Sequence, residues 1–389
     1  MEWKEVTLGE ITNLVIDYRG KTPLKLGSSW SDSGYRALSA KNIKTGQIVA
    51  EDSIRFVDED LYKKWMKDEV ERGDILITSE APFGQIYYWD SDEKIVLSQR
   101  LFDVRLNNEV CHKYVYYFMT SHRYQKDLEG RATGTTVTGL RQPELLKSTI
   151  LLPSLEAQRS IASILSSLDR KIELNNKINA DLEEMAQAIF KNWFVDFEPF
   201  KDDKFVDSEL GMIPEGWKVG LLGELCNFKR GKNLLTKNAI DEGVPVVAGG
   251  LEPSCYHNVA NTGAPVITVS GSGANAGFMR MYHVPVWASD CSFIDISCEN
   301  FYFVYCFLKV NSKLLKHAQT GAVQPHVKPS DIHDFELVIP DKESIYEFQD
   351  KVKPFFDKIA AIQKENSRLS TLRDTLLPRL MSGEIEIPE

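Results

Sequence analysis

The sequence lacks the marks of several large protein classes. It has no run of about 18 apolar residues, so it predicts no membrane-spanning helix. Its N-terminus, MEWKEVTLGE, lacks the basic-then-apolar layout of a signal peptide. Its 6 cysteines form no CxxC pair, which favours free thiols over a disulfide or zinc framework. We therefore expect a cytoplasmic protein.

Signatures of enzyme chemistry are also missing. There is no GxxxxGK[ST] phosphate loop, no Asn/Asp-Pro-Pro-aromatic signature of amino-methyltransferases and no nuclease-type Pro-Asp followed by Glu-x-Lys. The 7 histidines show no metal-ligand spacing. The glycine loop at 270–277 leads into residues that alternate like a strand and include Pro285, whereas a dinucleotide loop must open a helix. The sequence therefore predicts a hairpin there, and no catalytic residue, cofactor or metal ion in this chain.

Positive charge is scarce overall but concentrated locally. The chain has 46 Lys and Arg against 56 Asp and Glu, a net charge of −10. With this balance, a nucleic-acid-binding protein must use local basic patches. Residues 19–44 hold six basic side chains against one acidic, and residues 226–237 hold four against none.

The two halves of the chain repeat one pattern. The order Trp-Lys, Leu-Gly-Glu, Arg-Gly-Lys occurs at 3–21 and again at 217–232. Gly134 stands nineteen residues before Pro153, and the second half repeats this spacing from Gly321 to Pro340. Because order and spacing agree, the pattern indicates an internal duplication of a whole unit.

A long amphipathic helix ends each copy. Apolar residues recur in alternating steps of four and three from Ile161 to Trp193, the spacing of a coiled-coil seam. Adding 187 to each number gives a second seam in the same register, from Phe348 to Leu380. We therefore expect the two helices to pack on each other. The predicted interface residues are Ile161, Leu165, Leu168, Ile172, Asn179, Leu182 and Ile189 of the first helix and Val352, Phe355, Ile359, Asn366, Leu369 and Leu376 of the second.

Details of the helix pair follow from particular residues. In an antiparallel pair, Asn179 and Asn366 are expected to meet near the centre as a buried pair that fixes register at some cost in stability. Pro354 is expected to delay or kink the second helix, because proline removes a backbone donor. Pro378, followed by Ser382-Gly383, is expected to bring that helix to its end.

The globular part of each repeat predicts an α+β domain. Short strand patterns at 36–38, 74–78, 85–89, 95–97 and 102–106 precede a helix pattern near 112–128. The acidic segment 198–216 has the composition of a linker. The predicted divisions are a first globular domain at 1–153, a central helix at 154–197, a linker at 198–216, a second globular domain at 217–340 and a distal helix at 341–389.

The basic patches occupy the same place in both repeats. They are interleaved with Gly, Thr, Asn and Ser, a mixture suited to phosphates and base edges. A solvated loop explains either patch alone equally well, but their duplication favours a shared role. The loops 131–141 and 319–328 are weaker candidates for the same surface, and Asn275 and Gln324 have the side chains of adenine readers. The candidate DNA-binding residues are Arg19, Lys21, Lys41, Lys44, Arg131, Thr135 and Arg141 in the first half and Lys229, Arg230, Lys232, Asn275, Gln324 and Lys328 in the second.

This duplicated architecture resembles the specificity subunit of type I restriction-modification systems. The resemblance rests on the repeated Trp-Lys and Leu-Gly-Glu starts, on LLPSLEAQ at 151–158 and on LLPRLMSGE at 376–384. It implies two target recognition domains, each followed by a long helix, with the helices forming an antiparallel coiled coil. It also implies a non-catalytic subunit that binds double-stranded DNA, two methyltransferase subunits and restriction subunits. S-adenosylmethionine, ATP and Mg would then belong to the partner subunits.

The helix length is consistent with that resemblance. The 32 steps from Ile161 to Trp193 would span about 48 Å, enough to hold two reading domains roughly one turn of DNA apart. The halves differ in sequence, so the two half-sites are expected to differ as well. Two alternatives remain at this stage: a coiled-coil scaffold that reads no DNA, and a stand-alone DNA methyltransferase that uses the glycine loop.

Overall fold

The computed structural model describes residues 3–134, 138–319 and 325–385, which form two compact units. Unit 1 comprises Met1–Glu173 and Asn366–Glu389, and unit 2 comprises Leu174–Glu365. The boundaries fall inside two long helices, so each helix contributes to both units. The domain limits inferred from sequence leave the helices outside the globular parts, and those limits stay a prediction. None of the helices in the described ranges is long and apolar enough to span a membrane.

Unit 1 combines short strands with short helices. Its strands are β1 (Lys4–Thr7), β2 (Thr12–Asp17), β3 (Tyr35–Leu38), β4 (Ile43–Lys44), β5 (Gln47–Ile48), β6 (Arg55–Val57), β7 (Ile75–Thr78), β8 (Ile86–Tyr88), β9 (Ile95–Leu97), β10 (Leu101–Leu106) and β11 (Thr149–Leu152). Its short helices are α1 (Leu8–Ile11), α2 (Glu59–Trp65), α3 (His112–Thr120), α4 (His122–Arg131) and α5 (Gln142–Leu146), and the long helix α6 (Leu155–Phe194) follows. The five predicted strands correspond to β3, β7, β8, β9 and β10.

A four-stranded antiparallel sheet forms the centre of unit 1. Its strand order is β2-β10-β7-β8, and a second sheet has the order β6-β3-β9. Tyr114 and Phe118 of α3 are fully buried beside the apolar residues of the first sheet. The single helix predicted near 112–128 is in fact two helices. Ser121 takes an extended backbone conformation between them, and its hydroxyl accepts a hydrogen bond from the Tyr124 amide at 3.4 Å as the N-cap of α4.

One carboxyl group is buried in the central strand. Asp103 is 0% exposed, and neither of its oxygens accepts a hydrogen bond from the described residues. Burial, and then the negative charge of Asp74, raise the pKa of Asp103 well above its ordinary value. The folded chain therefore keeps a proton that the unfolded chain releases above about pH 4. This contribution to stability is complete at lower pH and is lost as pH rises through the raised pKa.

Unit 2 repeats the topology of unit 1. Its strands are β12 (Phe205–Ser208), β13 (Gly211–Pro214), β14 (Lys218–Leu221), β15 (Lys229–Arg230), β16 (Val244–Val247), β17 (Cys255–His257), β18 (Val266–Ser270), β19 (Met279–Tyr282), β20 (Trp287–Ala288), β21 (Cys291–Asp295) and β22 (Glu336–Ile339). Its helices are α7 (Phe301–Val310), α8 (Ser312–His317), α9 (Pro329–His333) and α10 (Lys342–Met381). The sheet orders β15-β21-β18-β19 and β17-β16-β20 correspond to the two sheets of unit 1. The glycine loop at 270–277 joins the antiparallel pair β18 and β19, so it is the predicted hairpin.

The first strand of each repeat pairs with the strand that precedes its long helix. β1 pairs with β11, and β14 pairs with β22. In unit 2 the indole of Trp217 donates to Asp341 at 2.9 Å, and Asp341 accepts the Ser344 amide at 2.8 Å in the first turn of α10. In unit 2 the repeated Trp-Lys start thus contacts the residue that caps the first turn of the long helix. Segment 198–216 contains the hairpin of β12 and β13, which the linker interpretation did not predict.

The long helices run antiparallel within each unit. In unit 1, Ile161 and Leu165 share one apolar cluster with Leu380, and the Arg373 guanidinium donates to Asp169 at 2.8 Å. In unit 2, the ring of Phe190 lies 5.6 Å from that of Phe348. As numbers rise along α6, the contacted numbers fall along α10, which is the predicted antiparallel arrangement. None of the predicted interface residues is exposed: Ile161, Leu165, Val352 and Ile359 are buried, and Leu168, Ile172, Asn179, Leu182, Ile189, Phe355, Asn366, Leu369 and Leu376 are partly buried.

A polar contact interrupts the apolar seam in unit 2. Asn175 is 1% exposed, and its amide donates to Glu365 at 2.9 Å. One turn further along α6, the buried Oδ1 of Asn179 accepts no hydrogen bond from the described residues. Asn179 and Asn366 belong to different units, so their pairing stays a prediction.

The expected delay of the second helix at Pro354 is wrong, and a kink there stays a prediction. α10 begins at Lys342 and continues through Pro354 to Met381. The proline removes one backbone donor. Buried Phe348 and Val352 before it and Phe356 after it keep the helix on the apolar core of unit 2, and we infer that this packing offsets the loss. Pro378 lies in the last turn, and the chain leaves the helix at Ser382 and Gly383, where the φ of Gly383 is 76°.

Candidate nucleic-acid interface

Several segments meet at one end of the four-stranded sheet in unit 1, where strands end or begin. β2 ends at Asp17, which lies opposite Phe102, and β7 ends at Thr78, which lies opposite Leu101 at the start of β10. The segments after β2 and β7 and the turn before β10 therefore meet. We call residues 17–21, 79–85 and 98–100 the first edge.

Arg19 is fixed in position at the first edge. Its guanidinium forms two hydrogen bonds of 2.8 Å to the carboxylate of Asp17 and one of 3.3 Å to the carbonyl of Leu140. It also lies 3.9 Å from the centre of the Phe102 ring. The Leu140 amide in turn donates to the Ser79 carbonyl at 2.9 Å. The structure thus joins the Arg-Gly-Lys segment to the 131–141 loop, as the sequence proposed for one shared surface.

A second arginine shares this edge. Arg100 precedes β10 with a φ of 63°, and its guanidinium pairs with Glu80 at 2.9 Å. With Arg19, Ser79 and Gln99, these two residues line a groove of about 560 Å³. Arginine, glutamine and carboxylate groups are the types that form directional hydrogen bonds with base edges. Sequence reasoning missed Arg100, Gln99 and Glu80, because none of them lies in a basic run.

Lys41 and Lys44 lie on a segment held against the first edge. The amide of Ala40 donates to the Gln99 carbonyl at 3.1 Å, and the amide of Thr45 donates to the Gln85 side chain at 3.0 Å. Both lysines are exposed, and neither forms an ion pair with any residue in the described ranges. Their ammonium groups are therefore available to a phosphate.

The 131–141 loop carries two arginines, of which Arg141 forms no ion pair with the residues that the structure describes. Arg131 pairs with Asp127 at 2.9 Å, whereas Arg141 is exposed beside a groove of about 750 Å³. A backbone bridge between Thr133 and Gly139 closes the loop. Thr135 lies outside the described residues.

Lys21 differs from Lys41 and Lys44 in having a partner within unit 1. Its ammonium donates to the Trp65 carbonyl and lies 3.6 Å from the centre of the Tyr18 ring. Partial burial, and then the positive charge of Lys67, lower the pKa of Lys21. One donor of the ammonium is thus engaged within unit 1, so we infer that Lys21 contributes less to phosphate binding than Lys41 and Lys44.

The corresponding edge of unit 2 is held by equivalent backbone hydrogen bonds. We call residues 229–232, 270–277 and 289–290 the second edge. Here Gly271 takes the place of Ser79: its amide donates to the Asp290 carbonyl at 3.1 Å, as the Ser79 amide donates to Arg100 at 2.9 Å. Its carbonyl accepts from the Val327 amide at 3.1 Å, as that of Ser79 accepts from Leu140.

Different side chains occupy the second edge. The guanidinium of Arg230 pairs with the carboxylate of Asp290, to which the hydroxyl of Ser272 also donates. A Cβ atom on Gly271 would lie 2.9 Å from Cζ of Arg230, so glycine is needed for this close crossing. Asp290 and Ser272 were not identified from the sequence. Asp290 occupies the place of Arg100, and neither residue lies in a basic run that would mark it as a candidate.

The remaining candidates of unit 2 surround this edge. The Asn275 amide donates to the Gly249 carbonyl at 3.3 Å, so one of its donors is engaged. Lys229, Lys232 and Lys328 are exposed and form no ion pair within the described part of the chain. Gln324 lies outside the described residues. The residues that the structure describes contain no cluster of His, Cys, Asp and Glu that could hold a metal ion.

Comparisons with known proteins agree with this architecture. A family model described as the type I restriction modification DNA specificity domain matches residues 1–184 and 214–371. The MjaIX type I restriction enzyme specificity subunit of Methanocaldococcus jannaschii is 32% identical over an alignment of 345 positions, gaps included, and the match covers 82% of this chain and 79% of that protein. The HindI specificity subunit of Haemophilus influenzae is 26% identical over an alignment of 413 positions, gaps included, and the match covers 82% of this chain and 88% of that protein.

A solved structure shares the fold. The crystal structure of a type I restriction-modification S subunit from M. genitalium matches with a TM-score of 0.57 at 19% identity. The match covers 97% of this chain and 96% of the other. Taken with the duplicated units, their equivalent edges and the matched family model, these findings show that the chain belongs to the type I restriction-modification DNA specificity family.

Proposed function

We propose that this chain is the DNA-reading subunit of a type I restriction-modification complex, in which unit 1 and unit 2 each read one half of a two-part target. The observation that carries the proposal is the pair of edges with one backbone frame and different side chains. The same hydrogen bonds hold Ser79 and Gly271, yet Arg100 in one edge is replaced by Asp290 in the other. A shared frame supports a shared task, and different side chains support different half-sites.

The ion pairs at both edges suit base reading. Arginine held by a carboxylate is oriented before it meets DNA, and arginine bonds in a bidentate manner to the O6 and N7 of guanine. In unit 1, Arg19 and Arg100 are held by Asp17 and Glu80. The exposed Lys41 and Lys44 would contact phosphates, which position the domain without reading sequence. The remaining candidates, among them Arg141, Lys229, Lys232 and Lys328, would extend this contact.

The partners in this proposal are double-stranded DNA and the methyltransferase and restriction subunits. The helix pair α6 and α10 would carry the methyltransferase subunits. S-adenosylmethionine, ATP and Mg would be bound by the partners, and this chain would supply no catalytic group. A net charge of −10 accords with phosphate neutralisation that is shared with partner proteins.

The test is a methylation map. The chain would be expressed with its methyltransferase candidate in a methylation-free host, and modified adenines would be located genome-wide. We expect one two-part motif, in which Arg100→Gln alters one half and Arg230→Gln the other. The matched control, Lys64→Gln, removes an exposed charge away from both edges. A stable complex that modifies no motif would contradict the proposal and favour a scaffold role.

A further inference from the structure

A second groove of unit 1 lies between α3 and α6. It measures about 470 Å³. Its walls include His112 and Lys113 of α3 and the side chains of Arg159, Ser163, Ser166 and Arg170 of α6. We call it the α6 groove. No carboxylate is among its lining residues within the described part of the chain.

The α6 residues form one stripe. Steps of four, three and four residues place Arg159, Ser163, Ser166 and Arg170 on one helix face. The two arginines stand about 16 Å apart along the axis. Both are exposed, and neither pairs with an acid in the described ranges, whereas Lys113 is already paired with Asp90 at 3.1 Å. The groove therefore carries two uncompensated guanidinium groups.

The α6 groove and the first edge lie at opposite ends of the same sheet. Tyr88, which lines the groove, is opposite Ile75 at the start of β7, whereas the first edge follows Thr78 at its end. His112 likewise follows the end of β10, whereas the first edge precedes its start at Leu101. A duplex lying on the first edge would leave the groove free. This placement favours an acidic protein segment over DNA phosphates.

The equivalent face in the second repeat has the opposite charge. The offset of 187 places Tyr346, Asp350, Lys353 and Asp357 of α10 at the four positions of the stripe. Lys353 pairs with Asp357 at 2.6 Å, so the face carries one net negative charge where α6 carries two positive charges. Identical partners could not make the same ionic contacts with both faces.

We propose that the α6 groove anchors an acidic segment of the methyltransferase subunit and that the α10 face lacks this anchor. Two copies of one methyltransferase would then bind with unequal affinity. The inference rests on the proposed function in taking the methyltransferase as the partner. Exposed guanidinium contacts are screened by salt, so the difference between the two binding steps should shrink as ionic strength rises.

The experiment is a titration of the methyltransferase into the full chain, followed by native mass spectrometry at low and high salt. We expect two unequal steps for the wild-type chain. Arg159→Gln with Arg170→Gln should weaken the tighter step roughly tenfold at low salt and leave the weaker one unchanged. The control, Lys64→Gln with Lys191→Gln, removes two exposed charges elsewhere and should change neither step. Asp350→Arg with Asp357→Arg should strengthen the weaker step.

Three outcomes would overturn the inference. Equal binding by the wild type and the Arg159→Gln, Arg170→Gln variant would show that the groove is no anchor. Unchanged methyltransferase binding with a DNA-binding salt slope reduced by about two would assign the groove to phosphates instead. A wild-type chain that binds no methyltransferase at any salt concentration would overturn the proposed function as well. The wild-type titration alone shows that failure, whereas failure of the anchor is seen only by comparison with the variant.

Discussion

Two glycines of the same loop should respond to alanine in opposite ways. Gly271 and Gly277 both follow β18. An alanine at Gly271 would meet the end of the Arg230 side chain, whose Cζ is 2.9 Å from the added Cβ. At Gly277 φ is 78°, and an added Cβ would lie 2.6 Å from the backbone carbonyl oxygen of Leu315. The flexible side chain of Arg230 can move away from an added methyl group, whereas the backbone of Leu315 cannot.

The expected free energies follow from these neighbours. Gly271→Ala should displace Arg230 from Asp290, a pair that is exposed enough to contribute under about 1 kcal/mol. Restriction of the unfolded chain offsets this by about 0.4–1 kcal/mol, so stability should change little. Gly277→Ala carries a left-handed backbone penalty of about 1–2 kcal/mol, with the Leu315 overlap added. It should lower the melting temperature of unit 2.

The assay combines thermal unfolding with the methylation map. Gly271→Ala should keep the melting temperature and change the half-site that unit 2 reads, as Arg230→Gln does. Gly277→Ala should lower the melting temperature and keep the motif. If Gly271→Ala destabilises the chain as much as Gly277→Ala, the Arg230 side chain is not free to move. If it leaves the motif unchanged while Arg230→Gln alters it, the displacement itself is refuted.

Three further changes test other parts of the structure. Lys41→Gln with Lys44→Gln should reduce the salt slope of DNA binding by about 1.8, whereas Lys21→Gln should leave the slope unchanged; filter binding across a salt series would measure both. Between the ordinary and the raised pKa of Asp103, the stability of Asp103→Asn relative to the wild type should rise by about 1.4 kcal/mol per pH unit, because the variant has no proton that only the folded chain holds. Hydrogen exchange of the β10 amides at several pH values measures this. A stability difference between variant and wild type that does not change with pH would contradict it. Glu365→Ala should cost about 1–3 kcal/mol in urea unfolding because it removes the Oε2 acceptor of buried Asn175, and a neutral result would argue against that contact.

The fold was predictable where a pattern extends over many residues. The heptad seams located both long helices, and alternating apolar residues located five of the strands described in unit 1. The helix break at Ser121 was not predictable by periodicity, since a single side chain decides it by capping α4. The delayed helix start expected from Pro354 was wrong for the opposite reason, because we infer that packing on both sides of the proline outweighs the lost backbone donor.

The site was predictable only in part. The duplicated Arg-Gly-Lys segments identified Arg19 and Arg230, but the sequence did not distinguish Arg19 from Lys21 as a ligand. Lys21 lies only two residues beyond Arg19, but its ammonium donates a hydrogen bond to the Trp65 carbonyl. This contact was not visible in the sequence. Arg100 and Asp290 lie in short turns, and strand pairing alone brings them to the edges.

The way in which the edges are held has a consequence for how targets change. Ser79 and Gly271 are fixed through their own amides and carbonyls, and the amides of Leu140 and Val327 donate to those carbonyls. These anchors involve only backbone atoms, so we expect the side chain at position 100 to be exchangeable for residues that tolerate its φ of 63°. A new target can then arise from a few substitutions in one unit while the other half-site is kept. The two halves of the chain already display one such divergence, with arginine at position 100 and aspartate at position 290.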